Sequence, residues 1–294
     1  MNTSTWDFST IGLLGLGTMG AGVAQVLAAS GRHVRVLEVD ETRAAAGTSS
    51  LETFLDGGVE RGKVSPQQRS EILARVTVTT RVDDLAGVDL VIESIVEDLA
   101  AKVEVLTRVA DVVGTEVPIV TNTSALSVTE IAATLPAPER VAGLHFFNPA
   151  PVMRAIEVVR ALQTDAALIE RLVALVDTLD DKVAIPVDDR PGFLVNALLF
   201  PYLNDVIQEL DDELATAEDL DVALKLGLGY RSGPMEMLDM VGLDVHLHGT
   251  EAAYRATGDT RYAPPPLLRA MVAAGRLGAK SGSGFRIHDT PKGH

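Results

Sequence analysis

The 294-residue chain contains no cysteine, which excludes disulfides, thiolate metal sites and a cysteine nucleophile. It has no uninterrupted apolar run near the ~18 residues that a membrane-spanning helix needs. Positive charge is scarce: 25 Lys and Arg stand against 41 Asp and Glu, a formal net charge of −16. That balance argues against nucleic acid or an anionic membrane as partner. No period of ~20–50 residues recurs, so a solenoid is not expected. Met1 to Thr10 lacks the charged-then-apolar pattern of a signal peptide, and the cytoplasm is the expected location.

What the chain does have is apolar material, at 47%, with an ordinary 22% of charged residues. A sizeable core can form, in one large domain plus a smaller one or in two of medium size. Short apolar runs alternate with helix-like stretches in the first half. The runs are Ile11–Leu14, Val34–Leu37, Val76–Val78, Val88–Ile92, Ile119–Val120 and Val141–Leu144. Thr18 to Ser30 reads as a helix stopped by Gly31. This rhythm implies a doubly wound, mostly parallel sheet. Two further strands, Ala155–Val159 and Val183–Val187, flank a helix over roughly Asp165–Thr178. Beyond Asp188 the strand signal stops. Leu194, Leu198, Leu199, Leu203, Val206, Ile207 and Leu210 fall at helical spacing, and Thr216 reads as an N-cap. The expected organisation is therefore α/β over residues 1–188, with a helical arm near 42–72, and an all-helical domain over 189–294. Pro264-Pro265-Pro266 reads as a stiff connector, and the last few residues are expected to fray.

Gly15-Leu16-Gly17-Thr18-Met19-Gly20 follows the first strand and opens the first helix. In that context the pattern predicts a Rossmann-type dinucleotide turn. Gly15 would permit the turn, Gly17 the approach of a pyrophosphate and Gly20 close helix packing. The helix N-terminus would face the phosphates, so a polyanion can be held despite the overall charge. Glu38, at the end of the next strand, would accept hydrogen bonds from the adenosine ribose and repel an extra phosphate. It favours NAD over NADP, with Asp40 in reserve.

His145 closes the run Val141–Leu144, at the end of a strand where ligands bind in open α/β sheets. Glu157 lies twelve positions later, in the next strand-like run. A carboxylate beside imidazole would fix its tautomer and favour its charged form, which suits a general base. From the residues alone, a salt-bridged structural pair is an equal alternative.

The segment Gly143-Leu144-His145-Phe146-Phe147-Asn148-Pro149-Ala150-Pro151-Val152-Met153 resembles the signature of the short-chain 3-hydroxyacyl-CoA dehydrogenases, which include 3-hydroxybutyryl-CoA dehydrogenases. The resemblance spans nearly the whole chain. It takes in Thr121-Asn122-Thr123-Ser124, the run from Asp189 to Asn196, Gly233-Pro234 with Asp239, Gly242-Leu243-Asp244, and the tail Lys280 to Phe285. It implies NAD-linked oxidation of a 3-hydroxyacyl thioester. His145 would be the base and Glu157 its orienting carboxylate, with Ser124 and Asn196 bonding the substrate. Glu97, Lys102, Asn122, Asn148 and Lys280 would join Gly15, Gly17, Thr18, Met19, Gly20 and Glu38 around NAD. It also implies a homodimer formed through the helical domain.

The chain departs from the family pattern in places. Ala125 stands where a second serine is frequent, and Ala279 where a lysine is usual. On the arm, Ser50 matches a CoA-binding serine, but Gly57 lies near the place of the partner lysine. Lys63 or Arg61 is the candidate replacement. Arg231 stands where an uncharged residue is common, and either pairs with an acidic acyl tail or is a surface charge. Two alternatives follow: the same chemistry on an acyl-carrier-protein-bound or free hydroxy acid, or a non-catalytic NAD-binding structural protein. No metal is expected.

Overall fold

The computed structural model describes residues 8–287, and the expectations for the extreme N-terminus and for fraying of the last residues fall outside that range. The chain divides into two compact units between Asp189 and Arg190.

The first unit is built on an eight-stranded sheet of order β3-β2-β1-β4-β5-β6-β7-β8. Its strands are β1 (Thr10–Leu14), β2 (His33–Leu37), β3 (Val76–Thr79), β4 (Leu90–Glu93), β5 (Ile119–Thr121), β6 (Val141–Phe146), β7 (Ala155–Arg160) and β8 (Val183–Asp188). The helices are α1 (Thr18–Ala29), α2 (Glu41–Glu60), α3 (Pro66–Ala74), α4 (Leu99–Val113), α5 (Val128–Ala133) and α6 (Ala166–Asp177). All pairings are parallel except β6 with β7. Residues 147–154 join those two strands without a helix, so they can return only antiparallel. β4, β5 and β6 are buried along their whole length, which is why they read as continuous apolar runs and not as alternations.

Strand order reverses between β1 and β4, which leaves a crevice at their carboxyl ends. The arm of the sequence reading resolves into α2 and α3. Asp40 caps α2 by accepting from the Arg43 N–H at 2.7 Å. Ser65 and Gln68 form a reciprocal capping box on α3.

The second unit holds α7 (Val195–Asp211), α8 (Ala217–Leu228), α9 (Pro234–Val241), α10 (Leu243–Thr257) and α11 (Pro266–Ala273). Its extended pairings, among the described residues, are isolated bridges at Gly278, Ser283 and Ile287. Leu203, Val206 and Ile207 of α7 pack with Met235, Leu238, Leu243 and Leu268 in one core. Thr216 accepts from the Asp219 N–H at 3.1 Å as the cap of α8. The buried Asp221 of α8 accepts from the N–H groups of Met235 and Glu236 at 2.8 and 3.1 Å, so one helix caps the next. Pro266 of the triproline run is the first residue of α11, a position where the missing N–H has no intrahelical partner to lose.

Candidate active site

The glycine turn sits at the crevice. Gly15 has φ +92°, a left-handed conformation that glycine adopts without strain. A Cβ on Gly20 would collide with the Gly15 carbonyl, so glycine there lets α1 start tight against the turn. Gly17 is the N-cap of α1 and no side chain caps it, so the N–H groups of the first turn are left for a ligand. Glu38 follows β2. Its carboxylate accepts from Leu16 N–H at 2.5 Å and Val39 N–H at 3.1 Å, so it also pins the glycine turn. Asp40 is taken up by the cap of α2, so of these two carboxylates Glu38 is the one that lines the crevice.

The cleft has a volume of about 710 Å³. It is lined by Gly15, Gly17, Thr18, Met19, Glu38, Glu97, Lys102, Asn122 and Ser124 from the sequence prediction. Arg43 and Arg108 line it as well and were not anticipated; Arg43 carried no sequence signal beyond its place five residues after Glu38.

The far wall is a charged relay. Lys102 is 1% exposed, although it lies in a helix where a surface charge would be the plain reading. Its ammonium lies 2.5 Å from Glu93 Oε1 and 3.3 Å from Glu97 Oε2. Glu93, fully buried at the end of β4, also accepts from Thr121 Oγ1 at 2.6 Å and Ile95 N–H at 2.7 Å. Glu93 escaped the sequence reading; its signal is a carboxylate closing the apolar run Val91-Ile92. Glu97 Oε1 accepts from Thr123 Oγ1 at 2.6 Å, Ser124 N–H at 2.9 Å and Ala125 N–H at 3.0 Å. Burial pushes the Glu97 pKa up, but the Lys102 charge and these hydrogen bonds outweigh it and hold the carboxyl below its usual value. Glu97 thereby shapes the loop that presents Ser124.

Asn122 ties this wall to β6. Its Oδ1 accepts from Phe146 N–H at 2.8 Å. One residue back, His145 stands directly opposite Glu157 across the antiparallel seam. The imidazole Nδ1 lies 2.7 Å from Glu157 Oε2, with His145 5% exposed and Glu157 fully buried. A carboxylate can only accept, so Nδ1 carries a proton, and the tautomer this selects would bear its lone pair on Nε2. The Phe147 ring packs on the imidazole with centroids 4.6 Å apart. Asn148, next along, is exposed and precedes a cis Pro149.

Both domain profiles of one family match the chain. The NAD-binding domain of 3-hydroxyacyl-CoA dehydrogenase covers residues 10–190, and the C-terminal domain covers 192–288. The chain belongs to the 3-hydroxyacyl-CoA dehydrogenase family. A 3-hydroxybutyryl-CoA dehydrogenase of Mycobacterium tuberculosis is 41% identical, over 94% of this chain and 96% of the relative. The crystal structure of FadB2 from M. tuberculosis superposes with a TM-score of 0.93 at 40% identity, over 96% of this chain and 99% of that one. The (S)-3-hydroxybutyryl-CoA dehydrogenase PaaH1 of Ralstonia eutropha gives 0.92 at 37%, over 97% and 100%. The cofactor of this family is NAD, and the uncapped α1 turn with Glu38 beside it fits a dinucleotide.

Three predicted residues lie in the second unit of this family member. Asn196 is half-buried in the first turn of α7, and Arg231 is exposed in the turn before α9. Lys280 is held in an ion pair with Asp244 at 2.5 Å. The tail beyond it is fastened by Asp239, which accepts from the Phe285 and Arg286 N–H groups at 2.8 and 2.9 Å. On the arm, Ser50 and Lys63 are exposed.

Proposed function

We propose that the protein oxidises the 3-hydroxyl of a short-chain 3-hydroxyacyl-CoA, such as 3-hydroxybutyryl-CoA, to the 3-oxo thioester. The observation that carries this reading is the buried His145–Glu157 pair, Nδ1 to Oε2 at 2.7 Å. NAD, when bound, supplies the acceptor for the hydride leaving C3. His145 Nε2 takes the hydroxyl proton as the C3–O double bond forms, and Glu157 stabilises the resulting imidazolium. Ser124 and Asn196 are assigned to hydrogen bonds with the substrate, which fix C3 for transfer.

On the cofactor side, Gly15, Gly17, Thr18, Met19 and Gly20 are assigned to the pyrophosphate and Glu38 to the adenosine ribose. Glu97, Lys102, Asn122, Asn148 and Lys280 complete the set. The Glu93–Lys102–Glu97 contacts support an indirect share for Lys102, through the loop it braces.

For the CoA portion, Ser50 and Lys63 are assigned. Arg61 joins them on a specific observation: a Cβ on Gly57 would meet its Nη1 at 3.0 Å. The guanidinium thus occupies the space a longer side chain at 57 would claim. Arg231 is assigned to the acyl end, where its exposure suits a polar tail.

The reading includes a homodimer. Its support is the apolar surface of the second unit, where Leu198, Leu226 and Leu228 are 70%, 82% and 59% exposed.

Steady-state assays with matched CoA and carrier-protein thioesters test the substrate. NAD-linked turnover of 3-hydroxybutyryl-CoA is expected to exceed that of the carrier-protein thioester in kcat/KM. A preference for the carrier protein overturns the CoA assignment, and no turnover of either overturns the dehydrogenase reading.

A further inference from the structure

Residues 147–153 read Phe-Asn-Pro-Ala-Pro-Val-Met, and Asn148 is their sole polar side chain. The carbonyls of such a loop must find donors elsewhere. Pro149 O accepts from the N–H groups of Val152 and Met153 at 2.9 and 3.0 Å. The carbonyls of Ala150, Pro151 and Met153 all turn to one group, the Lys182 ammonium, at 2.7, 3.2 and 2.8 Å. Three N–H donors meet three acceptors, which uses the whole capacity of the ammonium.

Lys182 is 9% exposed, just before β8, and no carboxylate lies within ion-pair distance of it among the described residues. Burial lowers its pKa, and Asp181 works in the opposite direction. A buried cation without a carboxylate is unfavourable unless its hydrogen bonds are complete, as they are here.

From the other side the loop presses on α1. A Cβ on Gly22 would meet Ala150 Cβ and Pro151 Cδ, each at 3.2 Å. The segment that follows His145 is therefore gripped between the phosphate-binding helix and one ammonium.

We propose that Lys182 is a positioning residue for the dehydrogenase reaction: by caging the carbonyls of residues 150, 151 and 153 it sets Asn148 for its contact with NAD. The inference rests on the assignment of Asn148 above. Lys182 acts on the cofactor through the loop, since its ammonium is taken up by the three carbonyls.

The test is kinetics of Lys182→Met, Lys182→Ala and Lys182→Arg beside wild type, with NAD affinity by fluorescence and folding by circular dichroism. Lys182→Met is expected to fold, to raise the NAD KM and lower kcat by about ten-fold, and to leave the thioester KM within about two-fold. Ethylammonium is expected to restore Lys182→Ala saturably, and ethanol is not. Wild-type kcat and NAD KM in Lys182→Met overturn the proposal, as does equal restoration by ethanol. If neither truncation folds, Lys182→Arg decides. A raised NAD KM at unchanged thioester KM supports the proposal, and equal rises in both overturn it. Wild-type turnover in the same assay keeps this result separate from the substrate reading.

Discussion

His145 and Glu157 face each other across the antiparallel seam at 2.7 Å, and a pair this close should fail as one unit. His145→Gln is expected to keep NAD affinity while kcat falls by ~10²–10⁴. Glu157→Gln should cost a comparable factor, because a neutral amide cannot stabilise imidazolium. The double variant should lose far less than the product of the two. Measuring kcat for all four proteins checks this; losses that multiply would show two independent groups. At this scale the sequence was legible where the backbone forces a residue type, as at Gly15, or where a strand end fixes a place, as at Glu38, whereas His145 and Glu157 read equally as a structural pair until the resemblance was added. Lys102 was reached only through the resemblance, its burial against Glu93 unread, and Lys182 not at all. A lone lysine in such a stretch reads as a solvated charge, and nothing local reveals the partners. For Lys182 these are backbone carbonyls some thirty positions earlier, which have no side-chain signature at all.

Among the elements, the contact between α7 and α10 carries a titration. His246 of α10 is 3% exposed, and its Nε2 lies 3.0 Å from Asn204 Oδ1 of α7. Asn204 Nδ2 donates to Thr250 Oγ1 at 2.9 Å and to the Arg261 carbonyl at 3.2 Å, so Oδ1 must be the acceptor and Nε2 the donor. Burial lowers the His246 pKa from 6.5 to about 4. Above pH 6.5 the ring is neutral whether the chain is folded or unfolded, and nothing is lost. Between 6.5 and 4 only the unfolded chain gains the proton, so stability falls as pH falls, by up to about 3 kcal/mol. Denaturant titrations at pH 7 and pH 5 should show this slope in wild type and a shallower one in His246→Gln. Equal slopes would assign the acid sensitivity elsewhere. All eight strands were readable as apolar runs, for β4, β5 and β6 because burial along their whole length leaves no room for polar residues, and for β2, β3 and β8 from their valines and isoleucines despite exposed or half-buried positions. The antiparallel turn of β7 was not read explicitly, since direction has no residue signature; it follows from the short link 147–154.

For the molecule as a whole, association is the first expectation. Sedimentation velocity at micromolar concentration should give a dimer, and Leu198→Glu with Leu226→Glu should weaken it by at least about ten-fold, because carboxylates would be trapped in an apolar contact. A wild-type monomer refutes the dimer, and an unshifted double variant refutes this surface. The antiparallel seam has a separate consequence, for the order in which the chain assembles. His145 and Glu157 are twelve residues apart, whereas β1 meets β4 through Ile11 and Leu90, seventy-nine apart. Closing the longer loop costs about 1.7 kcal/mol more in chain entropy. During refolding the hairpin bearing His145 and Glu157 should gain amide protection before the crevice between β1 and β4 exists. The chemistry proposed for the hairpin lies in a short contiguous stretch, and the crevice proposed for the cofactor waits on the global topology.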